Sequence, residues 1–292
     1  MKENNPNLKI AYFGGEPLSV PVLEELKTAG IIPNLIICNP DRPSGRKMQL
    51  TPPPTKTWAE ENNIIVFQPN NYKDEVVKNR LTTENFDLFI VVAYNKILPE
   101  WLINLPRYKT INVHPSLLPK LRGPSPIRSA ILNDMRETGV TIMQMDKEMD
   151  HGPIIIQKQM LISEENWPVD GTELDVAMGK LGGALLASII PDWIAGKITP
   201  TPQDHAQATF CHKISKDMAE LKIDPENLPS GDEAYQTLLK IRAFAGWPET
   251  FFIYDNKRIK IKQAEIGTNG QLMINRVVPE GKAEMDFTSY FG

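Results

Sequence analysis

The chain has 292 residues, of which 41% are apolar and 23% charged, with a formal net charge of −4 at pH 7. That length supplies one large domain, or one of moderate size with a small companion. The acidic balance removes any global attraction to nucleic acid and leaves only local basic patches to hold phosphates. The two cysteines, Cys38 and Cys211, are far apart and lack metal-ligand spacing. A disulfide scaffold or zinc site is not expected, and a reducing, cytoplasmic setting fits. The polar start MKENNPNLKI does not read as a signal peptide, and no run of about 18 apolar residues predicts a membrane span.

Taken in chain order, residues 9–15 (KIAYFGG) read as a buried strand entering a glycine turn, and 19–29 as a helix stopped by Gly30. Strands are expected at 31–38, 63–67, 86–93 and 110–114, with a helix near 56–62. These runs hardly alternate, so the strands are covered on both faces, which predicts a parallel α/β sheet of Rossmann-like type. Residues 139–145 and 153–160 flank the polar turn DKEMDHG and read as an antiparallel hairpin at one end of that sheet. A helix at 172–190 follows, with Thr172 and Asp175 spaced as a capping box. The Pro-, Thr- and Gln-rich stretch from Pro191 onward has no steady period and reads as a linker. Beyond it, one helix at 231–243 and short strands at 249–255, 258–264 and 272–277 predict a small, OB-like β-barrel. The expected division is a catalytic domain at 1–190, a linker at 191–208 and a C-terminal domain at 209–292.

The stretch INVHPSLLPKLRG carries the chemistry. Residues two apart on a strand share a face, so Thr110, Asn112 and His114 point one way and Ile111 and Val113 the other. Pro115 ends the ladder, which leaves Asn112 and His114 at the carboxyl end of a parallel strand, where such sheets bind ligands. A satisfied Asn and His at a strand end is an equally good reading of that pair alone. Lys120 and Arg122 precede Ser125–Pro126, which look like the N-cap and first position of a helix able to hold an anion or carbonyl. Asp150, in the DKEMDHG turn, is either a turn residue or the third member of a convergent set.

An amide, an imidazole and a carboxylate suit acyl transfer to an amine. The amide and a protonated imidazole donate to a developing oxyanion, while the carboxylate and imidazole handle the amine's proton. No GxSxG, HExxH or phosphate-loop motif is present, and Gly14–Gly15 reads as a tight turn.

NVHPSLLPKLRG followed by ETGVTIMQMDKEMDHGPII resembles the strand, loop and hairpin of the folate-dependent formyltransferases. PDRPSGRKMQLTPPPTK, VVAYNKILP, IRAFAGWPETFF and VPEGKAEMDF are similar to segments of the methionyl-tRNA formyltransferases within that family. The resemblance covers nearly the whole chain. It implies 10-formyltetrahydrofolate as donor, initiator methionyl-tRNA as acceptor and no metal, with Asn112, His114 and Asp150 as the catalytic residues; the alternative is transfer to a sugar-nucleotide amine or hydrolysis of the donor. It also implies a folate pocket lined by Tyr94, Asn95, Lys96, Ile97 and Leu98, by Ser116, Leu117, Leu118 and Pro119, and by Met143, Gln144, Met145 and Asp146. Arg42 matches a loop arginine that contacts the tRNA acceptor stem. The chain departs from the tRNA-acting pattern at Pro115, which is usual in purine-pathway relatives, and at His151, where Thr is common.

Arg42, Arg46 and Lys47 form a basic loop, and Arg258, Lys260 and Lys262 alternate on one strand, with Lys213 near the linker. Such residues are more often simply solvated. On a small barrel the row of three could instead follow an RNA backbone, and the expected partners are folate and tRNA, with no DNA, no membrane and a monomeric chain.

Overall fold

A computed structural model describes residues 8–44 and 48–291. From the N-terminus the elements are β1 (Ile10–Gly14), α1 (Ser19–Thr28), β2 (Leu35–Ile37), β3 (Arg42–Ser44), β4 (Gln49–Thr51), α2 (Pro54–Glu61), β5 (Ile65–Phe67) and α3 (Glu75–Thr83). Then come β6 (Leu88–Val92), α4 (Glu100–Ile103), β7 (Thr110–His114), α5 (Pro126–Leu132), β8 (Glu137–Gln144), β9 (Ile154–Leu161) and α6 (Gly171–Ile194). The last are α7 (Gly231–Ala243), β10 (Phe251–Tyr254), β11 (Lys257–Ile266), β12 (Leu272–Pro279), β13 (Met285–Asp286) and α8 (Phe287–Phe291). The chain divides into two units, the first of residues 1–122, 139–160 and 175–210, the second of 123–138, 161–174 and 211–292.

The first unit is built on a seven-stranded sheet in the order β5-β2-β1-β6-β7-β8-β9. β5, β2, β1, β6 and β7 are parallel, and β8 turns antiparallel against β7. The expected mostly parallel sheet is therefore present, with the hairpin at its end. β1 and β6 are buried at every residue, as strands flanked by helices must be. On one face Phe13, Phe89 and Val91 pack with Val77, Leu81, Leu102 and Ile103. On the other lies α6, whose 24 residues are apolar enough to suit a membrane span. Gly182 explains its place in the core: a Cβ there would meet Val113 Cγ1 at 2.6 Å, so only glycine allows the helix to lie this close to β7.

Three local readings change. α3 carries only Val77 and Leu81 as buried residues, too sparse a stripe to read as a helix from the sequence; Asp74 starts it by accepting from Val76 N at 2.9 Å. α6 begins at Gly171, so Thr172 and Asp175 lie inside the helix rather than capping it, and the Asp170 carbonyl accepts from Leu174 N. Pro191 does not end α6, because loss of one N–H near the last turn is tolerated and Trp193 Nε1 anchors that turn to Tyr108 O at 2.8 Å.

In the second unit β10-β11-β12-β13 form an antiparallel sheet. α7 packs on it through Ala234, Leu238 and Ile241, spaced four and three apart, against Phe252, Ile259, Ile261 and Val277. The expected β-rich C-terminal element takes this form. An open cleft of about 560 Å3 in this unit is lined by Trp167, Pro168, Asp170, Tyr235, Arg242 and Glu265 among others, none of them a residue singled out from the sequence.

Residues 191–208, which read as a linker by composition, are part of the first unit: 191–194 complete α6, and the rest is bound to that unit. Thr201 forms a β-bridge with Ile154, and Thr209 and Phe210 run beside 119–122.

Candidate active site

β7 places Asn112 and His114 at its carboxyl end, between β6 and β8. Asn112 pairs with Val91 on one side and Met143 on the other, and His114 pairs with Thr141. Thr110, on the same face, is fully buried and donates its hydroxyl to Ile103 O at 2.7 Å. Val113 points the other way, toward α6. The alternation read from the sequence thus sorts these side chains, and the half-buried Asn112 amide has no side-chain partner among the described residues.

His114 is 4% exposed. Its Nε2 lies 3.0 Å from the carbonyl oxygen of Leu121, and its Nδ1 lies 3.5 Å from Asp150 Oδ1. Both ring nitrogens face oxygen atoms, the Leu121 carbonyl and the Asp150 carboxylate. Asp150 is brought there by the turn between β8 and β9, thirty-six positions along the chain. Its backbone is left-handed, with φ of 51°, a conformation costing a non-glycine residue roughly 1–3 kcal/mol. Gly152 locks the same turn, since a Cβ there would lie 2.0 Å from Gln144 O. The side chain of Gln203 donates to the carbonyls of Asp150 (2.9 Å) and Gly152 (2.7 Å).

The loop Ser116–Pro119 is held from β8. Thr141 Oγ1 donates to Ser116 O at 2.6 Å and accepts from Leu118 N at 3.1 Å and from Gln157 Nε2 at 2.9 Å. Gln157 also donates to Leu118 O at 2.8 Å, and Ser116 Oγ donates to Lys120 O at 2.6 Å. The Ser116 hydroxyl is thereby engaged within its own loop, Leu118 is buried, and Leu117 and Pro119 are half-buried.

The segment after β6 is mixed. Tyr94 packs edge-on against Phe13 and shares a 2.6 Å hydrogen bond with Tyr72, and burial pushes its hydroxyl up to about 12. Asn95 donates to the carboxylate of Glu16, whose pKa is raised by burial. Lys96 donates to the carbonyls of Pro69 and Asn70, and burial, then the charge of Arg42, lowers its pKa. Leu98 is in the core, whereas Ile97 is 85% exposed. At the end of β8 Met143 is buried and Gln144 half-buried; just beyond it Met145 is half-buried and Asp146 Oδ2 accepts from His151 Nδ1 at 2.7 Å.

The expected basic residues separate. Arg42 is exposed on β3, paired with Thr51 of β4. Arg46 and Lys47 lie outside the described residues. Arg122 is not a cation presented before a helix: it is 4% exposed and donates to Gln203 and His205. Ser125 makes no side-chain cap bond. Lys213 is exposed. In the second unit Arg258, Lys260 and Lys262 share the outer face of β11, opposite the buried Ile259 and Ile261. Arg258 lies 3.7 Å over the Phe251 ring, while Lys260 and Lys262 both bond Glu249. Although burial alone raises the Glu249 carboxyl, those lysines bring its pKa below the usual range.

Sequence reasoning missed Thr141, Gln157 and Gln203. Thr141 could have been found from its place opposite His114 once the hairpin register is drawn. Gln203 had no such signal, because the Pro-, Thr- and Gln-rich stretch around it has no period that would assign it a face.

A family model described as formyl transferase matches residues 8–172, and one described as formyl transferase, C-terminal domain, matches 231–272. The chain is 38% identical over 258 residues to a methionyl-tRNA formyltransferase of Halalkalibacterium halodurans, covering 88% of this chain and 78% of that one. It is 36% identical over 306 residues to that of Listeria innocua, covering 97% and 94%. Among solved structures, WlaRD, a sugar 3N-formyl transferase crystallised in the presence of dTDP and 5-N-formyl-THF, shares the fold with a TM-score of 0.59 at 20% identity, covering 94% of this chain and 99% of that one. With a family model spanning more than half its length and relatives of this identity along most of it, the chain belongs to the formyltransferase family, beside the methionyl-tRNA formyltransferases.

Proposed function

We propose that this chain transfers the formyl group of 10-formyltetrahydrofolate to the α-amino group of methionine on initiator tRNA. The observation that carries the reading is His114 within 3.5 Å of Asp150 beside Asn112, at the carboxyl end of β7, in a chain of this family. Asn112 donates to the oxygen of the formyl carbon as the amine attacks and negative charge develops there, and His114, held between Leu121 O and Asp150, stands beside it to handle the proton. The Asp150–His114 pair takes the proton that the amine loses, and the same pair returns a proton to N10 of the folate as its bond to the formyl carbon breaks. The products are formyl-methionyl-tRNA and tetrahydrofolate. No nucleophile from the protein is required.

Tyr94, Leu118, Met143 and Met145 contribute aromatic, aliphatic and thioether groups, and Asp146 a carboxylate acceptor, to the subsite for the donor's flat heteroaromatic ring, which bears N–H donors. Asn95, Lys96, Ile97, Ser116, Leu117, Pro119 and Gln144 complete that subsite through their segments. Arg42, Arg46, Lys47, Lys213, Arg258, Lys260 and Lys262 contact tRNA phosphates, the last four from a C-terminal domain at 209–292 that follows a catalytic domain at 1–190 and a connecting segment at 191–208. The protein works as a cytoplasmic monomer, with no membrane or DNA partner.

Incubating the protein with formyl-labelled 10-formyltetrahydrofolate and either methionyl-tRNA, an amino-sugar nucleotide or water alone tests the reading. Label passing to methionyl-tRNA is expected; label on the sugar amine or released as formate, with none on the tRNA, overturns it.

A further inference from the structure

Gln203 joins the two loops that hold the His114–Asp150 pair. Its side chain is 5% exposed, and its Oε1 accepts from Nε (3.1 Å) and Nη2 (2.6 Å) of Arg122. Its Nε2 donates to Asp150 O and Gly152 O. A guanidinium only donates and a carbonyl only accepts, so the amide has one possible orientation. Arg122 in turn follows Leu121, whose carbonyl faces His114 Nε2. A closed ring of interactions results, running from His114 through Leu121, Arg122, Gln203 and Asp150 back to His114. Because these groups are buried, removing any one partner strands another polar group, which makes the ring resistant to small displacements.

The other end of the same turn is gripped by the same strap. Arg122 Nη2 also donates to His205 Nδ1 at 2.8 Å. The His205 ring stacks flat on His151 at 4.1 Å between centroids, and His151 is bonded to Asp146. The left-handed backbone at Asp150 persists only if its surroundings hold it, and Gln203 supplies two of the bonds that do so.

We propose that Gln203, seated on Arg122, is a positioning residue that holds Asp150 at its working distance from His114. The role in catalysis rests on the formyl-transfer reading above. Gln203→Leu removes all four hydrogen bonds at nearly constant volume. Gln203→Glu keeps the Arg122 interaction as an ion pair but removes both donations to the turn, so it serves where the leucine variant fails to fold. In either variant kcat for formyl transfer should fall roughly 10- to 100-fold, with KM for folate and tRNA changed less than about threefold. Added to Asp150→Asn, Gln203→Leu should cost less than about twofold more, because both act through one carboxylate. Independent, multiplicative losses overturn the proposal. Nitrogen NMR of the His114 imidazole gives a readout without turnover: Gln203→Leu or Gln203→Glu should reproduce the change caused by Asp150→Asn. Unchanged His114 signals in a folded Gln203 variant overturn the brace, whatever the activity. Absence of formyl transfer by the wild-type protein overturns the functional reading instead, and the NMR comparison still decides the brace.

Discussion

The end of β7 and the outer face of β11 both present charged and polar side chains at alternate positions, yet they hold them differently. His114 is enclosed, with a backbone carbonyl on one nitrogen and a carboxylate on the other, and the turn that brings the carboxylate is itself fastened by buried bonds. Lys260 and Lys262 stand at the surface and converge on Glu249, and Arg258 lies across an aromatic ring. The first arrangement holds its atoms in one geometry, as bond making requires. The second produces a field that salt can screen and that partial neutralisation tunes.

That contrast can be broken from either side. The largest effect is expected at the enclosed site: His114→Ala should lower kcat/KM by about 10^2- to 10^4-fold while the protein stays folded by circular dichroism. Near wild-type turnover would remove His114 from the chemistry. Arg42→Ala is next. The substitution should raise KM for methionyl-tRNA about tenfold and leave folate binding unchanged, and equal kinetics for both proteins would argue that Arg42 is only solvated. On β11, replacing Arg258, Lys260 and Lys262 by alanine should lessen the dependence of tRNA affinity on salt, by up to about 0.7–0.9 in the logarithmic slope for each phosphate that is no longer neutralised. An unchanged slope would mean that this face does not meet RNA.

The smallest effect concerns stability. Glu249 has a folded pKa below its unfolded value, so its stabilisation is present above the unfolded carboxylate range near pH 4.3 and is lost as pH falls through the folded value. Glu249→Gln should therefore lower stability by about 1 kcal/mol at pH 7, with the difference from wild type shrinking in urea titrations as the pH falls through the lowered folded value. A difference that persists in acid would assign the effect to packing rather than charge.

Much of the site was legible because β7 is short and regular. Strand alternation placed Asn112 and His114 together, Pro115 marked the end of the ladder, and the polar turn between two apolar runs offered Asp150. The alternation of LysArgIleLysIleLys, residues 257–262, sorted β11 correctly for the same reason. Arg122 was misread because charge next to a helix start is usually exposed, and only a buried acceptor such as Gln203 allows a guanidinium to be enclosed. α3 escaped notice because two buried residues in nine leave little periodicity.

The sequence alone was enough for the central strands of the large sheet, β1, β6 and β7, and for the residue types that meet at the end of β7, since those follow from periods that neighbours along the chain enforce; the β3–β4 pair, in a stretch read as a loop, was not foreseen. Tertiary structure alone decided that a glutamine from a proline-rich stretch would join Arg122 to the Asp150 turn, fifty-three positions back along the chain. Interactions of that kind depend on chain paths meeting in space and on buried donors finding acceptors, and no local pattern records either.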